Sequence, residues 1–375
     1  MSDAPATTVD YGVVVPLHEV ERELARQMQA LKGDQHAPVL RARMSNQVIY
    51  CPRRERADKI TVRIHEVTQV HPSRVLLLIS DGDPAAGLTA AVRVRGHKID
   101  KRAQACSEQV TITVPPGQVH RLPFAVRSLV IGDLPMNLWW ASYQPPPFGG
   151  QLLYELGEHA QQIIYDSLGW EEPARGVAAT ATWLEQVERT DAASGWRVAS
   201  DLNWRRLKYW RRLAMQALEP ASAPGAVESM TEILLEHGPH AVVQGWLLLS
   251  WLSRQLGWKV QGGKVQKGVE MVWRFVAPHG DVAVRIRRLE QGPAEIRRVR
   301  FACSIEAKPA ALNLVVESEQ RLAIVPEGIP GEPRTLTLPP LTPAELIGRQ
   351  LSDRERDPVF RESMAAAQVM AQSVL

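Results

Sequence analysis

The stretch VIYCPRRERADKITVRIHEVTQVHPSRVLLLIS, Val48 to Ser80, decides how this chain folds. Its middle carries Ala57, Ile60, Ile64 and Val67 at three- and four-residue steps, which put side chains on one face of a helix. Thr61, Val62 and Thr68 are branched residues that also suit strands, so the period outweighs propensity here. On one side VIYC (Val48 to Cys51) is a short apolar strand. On the other, SRVLLLIS (Ser73 to Ser80) is almost uninterrupted, as expected of a strand covered on both faces. Strand, helix and strand predict a right-handed crossover unit, and therefore an α/β fold.

Working outward, Val20, Leu24 and Met28 recur every four residues and predict a helix over Pro16 to Ala30. Downstream, LTAAVRVRG and SEQVTITVP alternate like half-buried strands and make the sheet mixed. Arg93, Arg95, Thr111 and Thr113 form the expected outward set. A helix is expected near Val119 to Leu129, with Pro123 confined to an early turn or a break. GDLPMNLWWAS (Gly132 to Ser142) predicts a turn and an apolar strand ending at Trp139 and Trp140. Extended backbone sends those two rings to opposite sides, one inward and the other toward an interface. QLLYELGEHAQQ and IIYDS (Ile163 to Ser167) repeat the helix and strand alternation.

EPASAPGA (Glu219 to Ala226) is the clearest break. Beyond it a helical segment is expected from Ala226 to Trp258, split at Gly238-Pro239, and then a flexible hairpin-type connection, VQGGKVQKG. VEMVWRFVA, DVAVRIRRL, AEIRRVRFACSIEA and AALNLVVES read as successive antiparallel strands. Pro343 to Leu375 should add one or two helices, the last packing through Met364, Val369 and Met370. The expected organisation is an N-terminal arm and helix (1–40), a mixed-sheet α/β domain (41–218), a C-terminal α+β domain with an antiparallel sheet (219–342), and a helical tail (343–375).

A length of 375 residues accommodates two or three cores without disulfides or metal. The formal charge of +3, from 44 basic and 41 acidic residues, gives no general reason for a polyanion partner. Cys51, Cys106 and Cys303 form no CxxC pair, which suits a reducing cytoplasm. The opening MSDAPATTVDYGVVVPLHEV lacks the basic and apolar regions of a secretion signal. Arg254 interrupts AVVQGWLLLSWLSRQLGW (Ala241 to Trp258), so a buried core helix is expected rather than a membrane span. Gly149-Gly150 and Gly262-Gly263 make no phosphate loop, and GxSxG and HExxH are absent. No cofactor, metal or catalytic centre is expected.

ASDLNWRRLKYWRRLAMQ (Ala199 to Gln216) interleaves aromatics with bases. On a helix capped by Asp201, Trp204, Leu207 and Trp210 fall inward. Arg205, Lys208 and Arg212 form a basic face, with Arg206 and Arg211 farther round. Such a segment serves core packing, protein or anion recognition, or nucleic-acid stacking. His71 and Arg74 flank a turn into the buried strand, Arg74 being a candidate phosphate ligand. Asp133, Glu155, His159 and Asp166 are an acid-base collection, with Glu155 and His159 on one helix face. Cys51 and Cys303 read as packing thiols; Cys106, near a turn, is the candidate redox thiol.

In order and spacing, HPSRVLLL, GDLPMNLWW, IIYDS and SDLNWRRLKYWR resemble the bacterial glucose-6-phosphate dehydrogenase assembly proteins, OpcA. The resemblance implies a non-catalytic, cytoplasmic partner of glucose-6-phosphate dehydrogenase, promoting its assembly or activating it allosterically in the oxidative pentose phosphate pathway. The dehydrogenase would carry NADP, and neither nucleic acid nor membrane is an implied partner. His71, Arg74, Asp133, Trp139, Trp140, Asp166, Asp201, Trp204, Arg205, Trp210 and Arg211 are the family-like positions. Some relatives are redox-regulated, yet the resemblance assigns no disulfide to this chain's cysteines. A sugar-phosphate-binding enzyme or sensor built on Arg74, Asp133, His159 and Asp166, and a nucleic-acid-binding protein built on Ala199 to Gln216, are the alternative readings.

Overall fold

The computed structural model describes residues 9–33, 39–40, 43–98, 104–190, 197–266, 270–339 and 342–375. The start of the expected N-terminal arm and the end of the VQGGKVQKG connection, with the first residue of VEMVWRFVA, lie outside them. The first half of the chain runs β1 (Val13–Val15), α1 (Val20–Gly33), β2 (Val39–Leu40), β3 (Ser45–Cys51), α2 (Arg54–Val70), β4 (Ser73–Ile79), β5 (Thr89–Lys98) and β6 (Gln104–Thr113). It continues through α3 (Leu122–Leu129), β7 (Met136–Trp140), α4 (Gly150–Gly157), β8 (Ala160–Tyr165), α5 (Pro173–Thr190), β9 (Val198–Asp201), α6 (Leu202–Arg206) and α7 (Lys208–Ala217). The second half adds β10 (Glu232–His237), α8 (Val242–Leu256), β11 (Lys259–Gln266), β12 (Glu270–Ala277), β13 (Gly280–Arg288), β14 (Ile296–Ile305) and β15 (Lys308–Ser318). β16 (Arg321–Glu327), β17 (Arg334–Thr337), α9 (Pro343–Ser352) and α10 (Pro358–Gln372) complete it.

The first sheet is ordered β1-β5-β6-β4-β3-β7-β8-β9. From β6 to β9 every neighbouring pair is parallel, while β5 and β1 are antiparallel additions at one edge. This is the doubly wound order of dinucleotide folds, with the reversal between β3 and β7. At the first crossover, however, the turn is Cys51-Pro52-Arg53, without a glycine. The Arg54 N–H donates to the Asp81 carboxylate at 3.3 Å, so the chain's own anion faces the helix start where such folds seat a pyrophosphate.

The crossover formed by β3, α2 and β4 is as expected, and Ala57, Ile60, Ile64 and Val67 are all buried. Thr111 and Thr113 are buried too, contrary to expectation. β6 is an interior strand, and the register sets Thr111 beside Leu77 and Thr113 beside Ile79, on the side that α2 covers. Trp139 and Trp140 do point oppositely, but neither reaches an exposed interface: Trp140 enters the main core and Trp139 a second core beneath α2 and α9.

The second sheet runs β11-β12-β13-β10-β14-β15-β16-β17, antiparallel except where β10 lies parallel to β13. β10 corrects the expected long helix. Ile233, Leu235 and His237 are buried in strand alternation, and only α8 is helical. VQGGKVQ is likewise a strand rather than a loose connection; a Cβ on Gly263 would lie 2.5 Å from the Trp273 ring, so this edge strand needs a glycine there. α10 packs against both α8 and α5. It buries Phe360, Ala367 and Ala371 besides Met364 and Met370, whereas Val369 is exposed because it falls on the outer side. One core consequently runs from Leu76 and Leu138 in the first sheet to Trp273 and Phe275 in the second. Among the described residues no helix is long and apolar enough to cross a membrane.

Candidate functional site

The family-like residues of the later segments meet where β8 and β9 end and α6 begins. Asp201 has extended backbone and caps α6, accepting from Asn203 N–H at 2.9 Å. The same carboxylate accepts from the Ser167 N–H at 3.0 Å and the Ser167 hydroxyl at 2.5 Å. Asn203 Nδ2 in turn donates to Ser167 Oγ at 3.1 Å. Beside this knot, Asp166 takes both forks of Arg206 at 2.7 and 2.8 Å. Burial pushes the Asp201 carboxyl up to about 7, and Asp166 adds to the rise. Burial alone would raise Asp166 as well, but the charge and hydrogen bonds of Arg206 outweigh it and hold that carboxyl below its usual range.

Every strong donor around Asp201 belongs to the chain, and Ser167 is fully buried. Asp201 also lines the cavity that lies between α6, α7 and the tail. Among the described residues, no group of three or more His, Cys, Asp or Glu side chains could hold a metal ion.

The α6 to α7 segment then clasps the C-terminal tail. Trp204 Nε1 donates to Asp357 Oδ2 at 2.7 Å, and its ring meets Phe360 at 5.5 Å between centroids. Asp357 also caps α10 through Phe360 N–H. Arg205 bonds Gln350 Oε1 at 2.7 Å and Asp353 Oδ2 at 2.6 Å. Gln162, from β8, donates to the Gln350 and Asp353 carbonyls at 3.0 and 2.9 Å. A cavity of about 270 Å³ remains between them, with Arg205, Lys208 and Arg211 opposite Asp353, Glu355 and Asp357.

This arrangement corrects the expected outward basic face. Lys208 and Arg212 are exposed, but Arg205, Arg206 and Arg211 are drawn inward by Asp353, Asp166 and the Trp204 ring. Burial lowers the Arg211 guanidinium to about 10. Trp204 and Trp210 are buried, which removes the exposed rings that base stacking requires.

The remaining candidates lie elsewhere. Arg74 is 3% exposed and bonds Glu108, Glu21 and the Leu129 carbonyl, so it has no free fork for a phosphate. His71 ends α2 and touches Ser352 of α9 at 3.3 Å. Asp133 is exposed in the turn before β7, whereas Asp166 follows β8 at the opposite end of the sheet. α4 ends at Gly157, and His159 lies beyond it, outside the helix face expected to hold it with Glu155. The sugar-phosphate collection therefore does not converge. Cys106 is buried on β6.

Ser167, Asn203, Gln350, Asp353 and Asp357 were not singled out from sequence. Only Asp357-Pro358 carries a local signal, a helix cap followed by proline at the first helical position.

Residues 64–182 match the family model described as glucose-6-phosphate dehydrogenase subunit N-terminal domain, and residues 197–364 match the corresponding C-terminal domain. The chain belongs to the OpcA glucose-6-phosphate dehydrogenase assembly family. Two curated OpcA proteins of the OxPP cycle are similar to it: one from Synechocystis sp., 25% identical over 215 residues, and one from Nostoc punctiforme, 27% identical over 206. Those alignments cover 56% and 54% of this chain but 42% and 40% of the relatives, so the matched part is about two-fifths of their length. A solved protein from Parabacteroides merdae, named as an oxidoreductase, shares the fold with a TM-score of 0.52 and 8% identity, covering 89% of this chain and 97% of that one. At that identity the OpcA-family chain shares architecture with it and nothing more.

Proposed function

We propose that this chain is a non-catalytic partner of glucose-6-phosphate dehydrogenase that promotes its assembly or activates it allosterically in the oxidative pentose phosphate pathway. The observation that carries the reading is the pair of family matches, which together take in the first sheet from β4 onward, the whole second sheet and about two-thirds of the tail. The geometry supports it in two ways. The helix start at the first crossover faces Asp81, and the buried carboxylates are consumed by their own neighbours. A protein without chemistry of its own acts on an enzyme by binding one conformation or oligomer better than another. A preference worth about 1.4 kcal/mol shifts such an equilibrium roughly tenfold.

The test mixes the purified chain with its cognate dehydrogenase and follows mass and NADP reduction together. A mixed complex with raised activity, and no turnover by the chain alone, is the expected result. Failure to associate in native buffer with substrate present would remove the reading. The same mixture with and without reductant tests redox control separately.

A further inference from the structure

The strand order of the first sheet reverses between β3 and β7, and sheets of this kind open a crevice beyond the C-terminal ends of their strands at such a point. A cavity of about 350 Å³ lies there, past Cys51 at the end of β3 and Trp140 at the end of β7. Its volume is at the small end of the range for ligand sites.

Four of its lining side chains are aromatic: Tyr50, Trp140, Tyr143 and Phe148. Tyr50 and Trp140 are buried, with ring centroids 4.5 Å apart. Their polar atoms are spent, the Tyr50 hydroxyl on Ser80 Oγ at 3.2 Å and Trp140 Nε1 on the Gln144 carbonyl at 3.2 Å. The pair is therefore a fixed floor that offers only its rings. One face of Tyr143 is covered by Arg56, whose guanidinium carbon is 4.0 Å from the ring centroid. Phe148 differs from all three, being 42% exposed and, among the described residues, stacked on no other ring. It rides on the single 3-10 turn Pro146–Gly149, which follows Pro145, and the three prolines fix the backbone there. Gly149 lets that turn close on the floor, since a Cβ in its place would lie 2.5 Å from the Trp140 ring.

Ser142 supplies the polar complement. It is 4% exposed, its Oγ accepts from the Gln144 N–H at 3.0 Å, and among the described residues its own O–H finds no acceptor. That buried hydroxyl is left as a donor for whatever fills the cavity it lines. The two charged residues of the lining, Arg53 and Glu171, are exposed and opposite in sign, so the cavity calls for no net charge.

We infer that this cavity binds an uncharged planar heteroaromatic of the nucleobase type. The ring lies between Phe148 and the Tyr50 and Trp140 floor, and a ring nitrogen or carbonyl accepts from Ser142. Stacking requires a π face on the ligand and tolerates any base. A phosphate gains nothing, because Asp81 already occupies the neighbouring helix start that would receive it. Such binding needs no dehydrogenase, so it is measured on the chain alone.

Calorimetric titration of the full chain with adenosine, guanosine, cytidine and uridine, followed by the 5′-monophosphate of the tightest, is the test. At least one nucleoside should bind one to one, and its monophosphate no more tightly. Phe148→Ala, on a half-exposed turn, should weaken that binding about tenfold with the unfolding midpoint unchanged, and Phe148→Tyr should keep it. Ser142→Ala should weaken it about fivefold. No binding by any of the four nucleosides, unchanged binding in either alanine variant, or tighter binding of the monophosphate would overturn the inference.

Discussion

Arg211 lies flat over Trp204, its guanidinium carbon 3.6 Å from the ring centroid. The other side of the same residue's chemistry, the ring N–H, is spent on Asp357 of the tail. One tryptophan thus joins α6, α7 and α10, and the interleaving of bases with aromatics serves that junction. A stacked arginine held by a buried ring is already ordered in the chain by itself, which leaves Lys208 and Arg212 as the exposed bases of this segment.

Trp204→Ala should therefore be costly. Removing the ring leaves a cavity beside Phe360 and strands Arg211 and Asp357, an expected loss of about 3 to 5 kcal/mol in urea unfolding. Trp204→Phe retains much of the apolar contact and loses the N–H, so it should cost clearly less. An unchanged midpoint for the alanine variant would contradict the assignment of this ring to the core.

Asp201 makes stability depend on pH. Its folded-state pKa is pushed up to about 7 by burial first and by Asp166 second, against about 3.9 for an unfolded aspartate. Between those values the native chain keeps a proton that the unfolded chain releases, so stability should fall as pH rises from about 4 to about 7 and then level off. Asp166 is displaced the other way and acts below that window. Asp201→Asn keeps an oxygen for the two backbone N–H groups and places an N–H toward the Ser167 hydroxyl. Its melting temperature should vary less than the wild type's between pH 5 and 8; an equally steep profile would show that another group titrates.

What could be read from sequence was whatever had a local period. The strand, helix and strand of Val48 to Ser80 was legible because 3.6-residue spacing and an uninterrupted apolar run are adjacent there. The inward stripe of Trp204, Leu207 and Trp210 was legible for the same reason, although the backbone divides it into α6 and α7 at Leu207. β10 was not, since TEILLEH has too few residues to separate a two-residue from a 3.6-residue period, and its alternation appears only once β13 and β14 flank it. α5 went unread. Destinations of charge were invisible too: Arg74 finds Glu21 at a separation of 53 residues, and Arg205 finds Gln350 at 145. Nothing in the spacing of a basic run tells which of its members a distant carboxylate will turn inward.

No disulfide should form among the three cysteines. Cys51 aligns through Ile79 with Thr113, while Cys106 lies seven residues back along β6, roughly 23 Å away at the rise of a strand. A disulfide requires Cα atoms within about 7 Å, and Cys303 is in the other sheet. Burial also raises the Cys51 thiol to about 11 and lifts that of Cys303, which suppresses the reactive thiolate. Native protein should take up iodoacetamide slowly at all three positions and fully after denaturation. Fast labelling of Cys106 in the folded chain would show a thiol reachable for redox chemistry.

Arg205 is where a structural role and a partner-binding role separate most cleanly. Its pair with Asp353 is partly solvated, with the side chains 23% and 50% exposed, so the ion pair itself should be worth no more than about 1 kcal/mol. Arg205→Glu should leave the fold intact while repelling Asp353 and loosening the turn between α9 and α10. Asp353→Arg in the same chain restores an opposite-charge pair with its direction reversed. Dehydrogenase activation lost in the single variant and recovered in the double variant would assign Arg205 to holding the tail in place. Activation lost in both, with wild-type unfolding curves, would place the guanidinium itself against the enzyme, because the reversed pair restores the clasp but not the positive charge the partner would meet.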